Sequence, residues 1–227
     1  MARVGKSAQN GPFRFKLDRV TAAPLAAVRA WPFPARFALL ILGLFLYGLA
    51  IRLQLDAAVG LAPWDAFHLG LAGRTGLTVG QAIILVGVIL VAAAWALLRV
   101  RPGLGSVLNM LLLGVFVDAL APYSPHPHGL FLRWFQFALG VLLLGLATGT
   151  YIASQMGAGP RDGTVLGLAA RFGWPVGRAR MGVELIVLLA GFLLGGQVGL
   201  GTLAFALGVG PAMSLGLGLY GLKGSGK

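Results

Sequence analysis

Long apolar stretches constrain this chain more than any other feature of its sequence. Six of them approach the ~20 residues that cross the hydrocarbon core of a bilayer as a helix. They lie at about 36–57, 79–99, 103–121, 132–155, 178–196 and 199–221. The chain is 58% hydrophobic and only 11% charged, whereas soluble domains are nearer a quarter charged. The sequence therefore predicts an all-α, polytopic membrane helix bundle with six transmembrane helices.

The basic residues are distributed unevenly among the segments that separate these stretches. Of the 18 Lys and Arg residues, fifteen fall on the side that holds both termini, and the other three are Arg52, Arg74 and Arg133. Cytoplasmic loops carry the excess of Lys and Arg in membrane proteins. We therefore expect both termini in the cytoplasm. We assign the net charge of +12 to loops beside anionic lipid, and we expect no nucleic-acid partner.

The positions of the stretches divide the chain into five parts. The first part is a basic tail with one acidic residue, Asp18, and without the apolar core of a secretory signal peptide. We expect it in the cytoplasm or on the membrane surface, with Trp31 and Phe33 at headgroup level. The parts are the tail at 1–35, a first repeat at 36–121, an outer loop at 122–131, a second repeat at 132–221 and a cytoplasmic end at 222–227.

A segment of the first half recurs in the second half, 97 residues later. The 21 residues from Gly60 and the 21 from Gly157 share 11 identities, and both copies hold a Pro-x-Asp motif. Each copy follows one span and precedes two. Since three is an odd number, the second unit enters the membrane from the opposite side. The sequence therefore predicts two inverted three-helix repeats, a plan common among secondary transporters.

Each Pro-x-Asp segment predicts a short helix, at residues 63–73 and 160–171. Proline suits the first turn of a helix, and a carboxylate two residues later can accept from its free N–H groups. Both segments are too short to span a bilayer and too apolar for a solvated loop. Two interpretations remain open. Either the helices lie at the interface with Asp65 and Asp162 as caps, or they are re-entrant and their carboxylates face a shared cavity near the midplane.

Ten residues are candidates for binding a substrate or an ion. Six lie in the two Pro-x-Asp segments, and four are polar residues within the spans, where polar groups are costly and usually functional. They are Pro63, Trp64, Asp65, Gln81, Asn109, Pro160, Arg161, Asp162, Arg178 and Glu184.

Several of these candidates have alternative roles. Glu184 is either a proton or cation site, or it pairs with Arg178 or Arg180. Asn109 also suits an interhelical hydrogen bond. Trp64 corresponds to Arg161 in the repeat, so we expect the two segments to differ chemically. The polar residues that end the fourth span suit either ligand contact or helix packing, and they are Thr148, Thr150, Tyr151, Ser154 and Gln155.

Catalytic and cofactor motifs are absent from the sequence. The chain has no Cys, which excludes disulfides, thiol catalysis and Cys-based metal sites. It contains no P-loop, no HExxH motif and no dinucleotide-binding glycine pattern. We therefore expect no enzyme, no cofactor and no metal.

The order of the motifs resembles one known group of proteins. The stretches "GLAPWDAFHLGLAGRTGLTVGQ", "RPGLGSVLNMLLLGVFVD", "GAGPRDGTVLGLAARFGWPVGRAR" and "GGQVGLGTLAFALGVGP" look like the bacterial YczE/YyaS/YitT group of integral membrane proteins. The resemblance covers about residues 36–215. It implies a bacterial inner-membrane protein with six helices, and it transfers no residue roles.

The sequence predicts a secondary transporter or exporter of a small metabolite or ion, with its site between the inverted repeats. One alternative is a substrate-binding membrane subunit of a multi-component uptake system. Another is an accessory or scaffold membrane protein that transports nothing. The expected partners are the lipid bilayer and a small-molecule or ion substrate. The sequence leaves open a homo-oligomer or a partner subunit.

Overall fold

The structure, a computed structural model, describes residue 28 and residues 31–100, 102–157 and 159–222. Within these ranges it contains eight α-helices, a short 3-10 turn at Ala121–Tyr123 and no strand, which confirms the all-helical prediction. The helices are α1 (Phe33–Ala57), α2 (Pro63–Thr75), α3 (Val79–Leu98), α4 (Leu104–Ala119), α5 (Leu130–Ala153), α6 (Pro160–Phe172), α7 (Val176–Leu193) and α8 (Leu200–Leu219). The expectations for most of the basic tail, for Arg101 and for the last five residues fall outside the described residues.

Five helices of the described chain are long and apolar enough to cross a membrane. They are α1, α3, α4 with the turn that follows it, α5 and α8. Helix α7, which the sequence predicts as the sixth span, has 18 residues and carries three charged ones, Arg178, Arg180 and Glu184. These charges keep α7 from matching the composition of the other five.

The two short helices begin at the prolines of the repeated segment, as expected. Pro63 and Pro160 each occupy the first helical position, where the missing N–H costs no hydrogen bond. Gly76 and Gly173 end the helices with φ of 73° and 66°. This left-handed backbone conformation favours glycine, because a residue with a Cβ atom would be strained there.

Helices α1 and α5 form a central antiparallel pair, and an arginine side chain caps the carbonyl end of each helix. Near the start of α1, Arg36 donates from Nε to the carbonyl of Ser154 at 2.9 Å and from Nη2 to that of Gln155 at 3.3 Å. Arg133 of α5 makes the same two bonds to the carbonyls of Ala57 and Ala58 at the end of α1. All three pairs of corresponding residues are 97 positions apart, as in the sequence repeat.

We expect Arg133→Gln to lower the free energy of unfolding by about 1–3 kcal/mol, because it removes charge-assisted bonds to two helix-end carbonyls. Arg171→Gln is the matched control, since Arg171 is exposed and donates to no carbonyl of another helix among the described residues. Thermal unfolding in detergent measures both. Equal losses in the two variants would contradict the capping role.

Each short helix packs against a long helix of the other half. Helix α2 contacts α7, where a Cβ on Gly70 would meet the Cβ of Leu194 at 2.8 Å. Helix α6 contacts the end of α3, where a Cβ on Gly167 would meet the Leu98 side chain at 2.7 Å. Glycine at these two positions permits the close approach of the helices. Each short helix is thus held by an element of the other half.

The contact between α3 and α4 is held by one carboxylate. Asp118 near the end of α4 accepts from the Thr78 hydroxyl and, at 2.8 Å, from the Gly80 N–H at the start of α3. Gly80 also lies against Gly114, so closely that a Cβ on either residue would overlap the other's carbonyl oxygen.

The corresponding contact between α7 and α8 is open. Helix α7 packs mainly against α2 and α6. Gly177 and Gly210, which correspond to Gly80 and Gly114, have open space where a Cβ would lie. Ser214 stands at the position that corresponds to Asp118, and its hydroxyl bonds within its own helix. The two halves therefore differ most at this helix pair.

Candidate functional site

The starts of the two short helices contact each other through one arginine. Arg161 in the first turn of α6 reaches three side chains of α2. Its Nη2 lies 3.6 Å from Asp65 Oδ1 and 3.4 Å from His68 Nδ1. Its Cζ lies 5.2 Å from the centre of the Trp64 ring, a distance that allows cation–π attraction. A residue of the second half thus completes a cluster built by the first half.

Asp65 is almost fully enclosed at this contact. It is 2% exposed, and its Oδ1 atom has no hydrogen-bond partner among the described residues. The 3.6 Å separation from Arg161 is an ion pair rather than a hydrogen bond. In the described chain, neither Asp65 nor Asp162 accepts from the first-turn N–H groups of its own helix. The capping role considered from the sequence is therefore not observed.

His68, one turn after Asp65, is buried beside it. It is 1% exposed, and its Nδ1 lies 4.0 Å from Asp65 Oδ1 and 3.4 Å from Arg161 Nη2. Because a guanidinium group can only donate, the His68 Nδ1 serves as the acceptor for Arg161.

Asp162 lies in a second and more open polar cluster. The Tyr151 hydroxyl donates to Asp162 Oδ2 at 3.2 Å, and Arg180 Nη1 of α7 lies 3.9 Å from Oδ1. Arg180 also donates from Nε to Glu184 at 2.9 Å. The Asp162 side chain is 37% exposed. The two repeated aspartates therefore have different partners and different burial.

Tyr47 of α1 lies between the two clusters. Its ring makes an edge contact with Tyr151, with ring centroids 6.1 Å apart. It also packs against the apolar core that contains Leu61 and Ala66 around the start of α2. An aromatic side chain of the central helix pair thus separates the surroundings of Asp65 from those of Asp162.

A cleft opens beside Arg161 and is lined by helices from both halves. Helices α2, α3 and α4 contribute from the first half, and α6 contributes from the second. Three of the lining side chains, His68, Asn109 and Arg161, are polar. The remaining lining residues are Ile83, Val86, Gly87, Leu90, Met110, Leu113 and Pro160. The cleft has a volume of about 20 Å³, which is room for one water molecule, so a larger ligand requires its walls to move apart.

The structure brings together about half of the residues proposed from the sequence. Trp64, Asp65, Asn109, Pro160 and Arg161 lie at the cleft or contact Arg161 directly.

The other proposed residues lie elsewhere. Pro63 starts α2, while Asp162 and Glu184 share Arg180. Gln81 is exposed and forms a capping box with Thr78. Arg178 is exposed at the start of α7, and its side chain has no partner among the described residues.

Two residues at the site were not among the sequence candidates. His68 follows Asp65 by three positions, so the two share one face of α2, and a polar residue within the otherwise apolar stretch 66–73 is a usable signal. Tyr47 carries no such signal, because aromatic residues are common in spanning helices. In the described ranges, no group of three or more His, Asp or Glu side chains is placed to hold a metal ion.

Comparison with known proteins identifies relatives of this chain. The uncharacterized membrane protein YczE of Bacillus subtilis (strain 168) is 37% identical over 173 residues, which cover 73% of this chain and 77% of that protein. An uncharacterized protein of Haemophilus influenzae is 34% identical over 175 residues, 77% of this chain and 80% of its own length. The uncharacterized protein YyaS of Bacillus subtilis is 27% identical over 165 residues, covering 71% and 82%.

No solved structure matches the chain. Residues 34–216 match a family described as "Family of unknown function (DUF6198)". These matches confirm the resemblance to the YczE/YyaS group, and with the apolar helices they indicate a multi-pass membrane protein. The chain therefore belongs to the DUF6198 family.

Proposed function

We propose that this protein is a secondary transporter or exporter of a small metabolite or ion, with its substrate site in the cleft beside Arg161. One observation carries the proposal. Arg161 and Asp65, which come from matching segments of the two halves, form a buried ion pair at a cleft that both halves line. Buried charges are costly within a membrane protein and generally mark a substrate or ion pathway.

We infer that the two halves are inverted repeats of three spans, with both termini in the cytoplasm. The reciprocal arginine caps of α1 and α5 support the inversion, because they relate an antiparallel pair at the 97-residue spacing of the repeat. The excess of Lys and Arg on the side of the termini supports their cytoplasmic location. Helix α7 is then the sixth span. Its Arg180 pairs with Glu184 and with Asp162, and its exposed Leu185, Ile186 and Phe192 suit contact with lipid.

We place the starts of α2 and α6 within the membrane as re-entrant helices. Each helix has 13 residues, too few to span a bilayer. Irregular backbone is tolerated at that depth where protein surrounds it. The enclosure of Asp65 and the contact of Arg161 with α2 support this placement.

The α3–α4 pair is closed and the α7–α8 pair is open, a difference that is consistent with alternating access. The Asp118 contact closes α3 against α4, whereas α7 is separated from α8 at the corresponding glycines. In an inverted-repeat transporter, one half adopts the arrangement of the other when access switches sides. The described arrangement would then be one of two such states.

We expect Asp65→Asn to reduce substrate-driven flux at least tenfold, because it removes the buried charge that pairs with Arg161. Proteoliposomes on a solid-supported membrane, challenged with a panel of anionic, cationic and neutral metabolites, give the measurement. Asp56→Asn is the matched control, since Asp56 pairs with Arg52 outside the cleft. Its flux should stay within about twofold of the unaltered protein.

Two results would contradict parts of this proposal. One is equal flux of an identified substrate in Asp65→Asn and the unaltered protein, which would exclude the role of Asp65 but not transport itself. The other is substrate binding without flux, together with co-purification of an ATPase. The second result would favour the substrate-binding subunit of an uptake system.

A further inference from the structure

We infer that the cleft, once its walls move apart in the transport cycle, takes a small monocarboxylate with a short apolar chain, whose carboxylate replaces Asp65 at Arg161 while Asp65 takes up one proton. This inference rests on the proposed function, because it names the substrate class and the coupled ion of the same site.

The charge of the cleft indicates a monoanion. Arg161 is the one cationic side chain among the described residues that line it. A guanidinium group presents parallel donors that match the two oxygens of a carboxylate. Its present acidic partner, Asp65, meets it through one 3.6 Å contact, whereas a ligand carboxylate can accept both parallel donors.

The walls of the cleft indicate an apolar chain on that anion. Five aliphatic or thioether side chains line it, and polar contact beyond Arg161 comes from His68 and Asn109. The apolar side chains are Ile83, Val86, Leu90, Met110 and Leu113. Strongly hydrated or doubly charged anions would lose more hydration here than one guanidinium replaces.

The enclosure of Asp65 links anion binding to a proton. Once a ligand occupies Arg161, an ionised Asp65 would remain buried without a counter-charge, a state of high free energy. Protonation of its carboxylate removes that cost. The balance is one carboxylate anion and one proton entering an Asp65–Arg161 pair, to give a ligand–Arg161 pair and a neutral Asp65. The only covalent bond that forms is O–H on Asp65, and the proton comes from the solvent.

The groups around Asp65 make it the proton acceptor of the site. Arg161 faces it from α6, Tyr47 lies on α1, and His68 lies on its own helix with its Nδ1 directed at Arg161. Helix α3 contains no titratable residue. On α7, Arg180 pairs with Asp162 and with Glu184, and Glu184 lies about two turns before Gly191, where α7 meets α2.

Calorimetry on the full chain in nanodiscs, with butyrate as the probe, tests this inference. Titrations in two buffers of different ionisation enthalpy give the number of protons taken up. We expect about one proton per butyrate and a dissociation constant that rises about tenfold per pH unit wherever Asp65 is ionised. Butyramide, the neutral analogue, should bind at least tenfold more weakly.

Variants separate anion binding by Arg161 from proton uptake by Asp65. Asp65→Asn, which mimics the protonated side chain, should bind butyrate without proton uptake and with a dissociation constant independent of pH. Arg161→Gln should abolish binding, and Asp56→Asn should behave as the unaltered protein does. If Asp65→Asn fails to fold, the proton count and the pH dependence of the unaltered protein still decide.

Three results would overturn the inference. They are butyrate binding without proton uptake, chloride binding as tight as butyrate, and no saturable binding of acetate, butyrate or hexanoate from pH 5 to 8. Flux of a cation or a neutral metabolite with no carboxylate binding would overturn the inference but leave the transport proposal standing. Carboxylate binding with proton uptake but without flux would support the inference and contradict the transport proposal.

Discussion

Arg161→Gln is expected to lower the free energy of unfolding by about 3–5 kcal/mol at neutral pH. The reason is that Asp65, 2% exposed, would keep a buried negative charge without a partner. Thermal and denaturant unfolding in detergent give the measurement. Arg178→Gln is the control, because its side chain is exposed and has no partner among the described residues.

A double-variant cycle makes this prediction specific to the ion pair. Asp65→Asn combined with Arg161→Gln should recover most of the stability, since a neutral pair leaves no buried charge. The loss in Arg161→Gln alone should also shrink as the pH falls. Its folded state binds a proton at Asp65 more readily than the unfolded chain does, so acid favours folding of that variant. A double variant as unstable as Arg161→Gln would show that Arg161 acts through packing instead.

Gly216→Ala should destabilise the protein by about 1–3 kcal/mol, whereas Gly218→Ala on the same helix should change stability by less than about 0.5 kcal/mol. A Cβ on Gly216 would overlap the backbone carbonyl of Gly145 on α5, so one of the two helices would have to shift. A Cβ on Gly218 would meet open space. The unfolding midpoints of the two purified variants, measured in the same detergent, test this difference in stability. Equal midpoints would mean that α5 and α8 separate more easily than their packing indicates.

The boundaries of the helices follow closely from local sequence. The predicted first span began at residue 36, and α1 begins at Phe33, one turn earlier. The short helices start at Pro63 and Pro160 as predicted. Proline at the first turn, glycine at the end and a run of apolar residues between them act over a few residues, so the local chain determines them.

The contacts of the candidate site do not follow from local sequence in the same way. Asp65 and Arg161 both stood among the predicted residues, but nothing local pairs side chains 96 positions apart. Their contact depends on α6 packing against α3 while α2 packs against α7. Tyr47 lies between the clusters for the same reason, since its neighbours are set by the packing of α1 on α5.

The sequence alone determined that this chain is an all-helical membrane protein with two copies of one Pro-x-Asp segment, because periodicity, hydropathy and turn residues are local properties. Only the tertiary structure decided that the two aspartates are unequal. Trp64 and Arg161 occupy the same place in the two copies, and Arg161 crosses to α2, where it pairs with the buried Asp65. Asp162 is left to Tyr151 and Arg180 in a more open setting. A buried charge takes its partner from whichever helix packs beside it, and that helix lies far away in sequence.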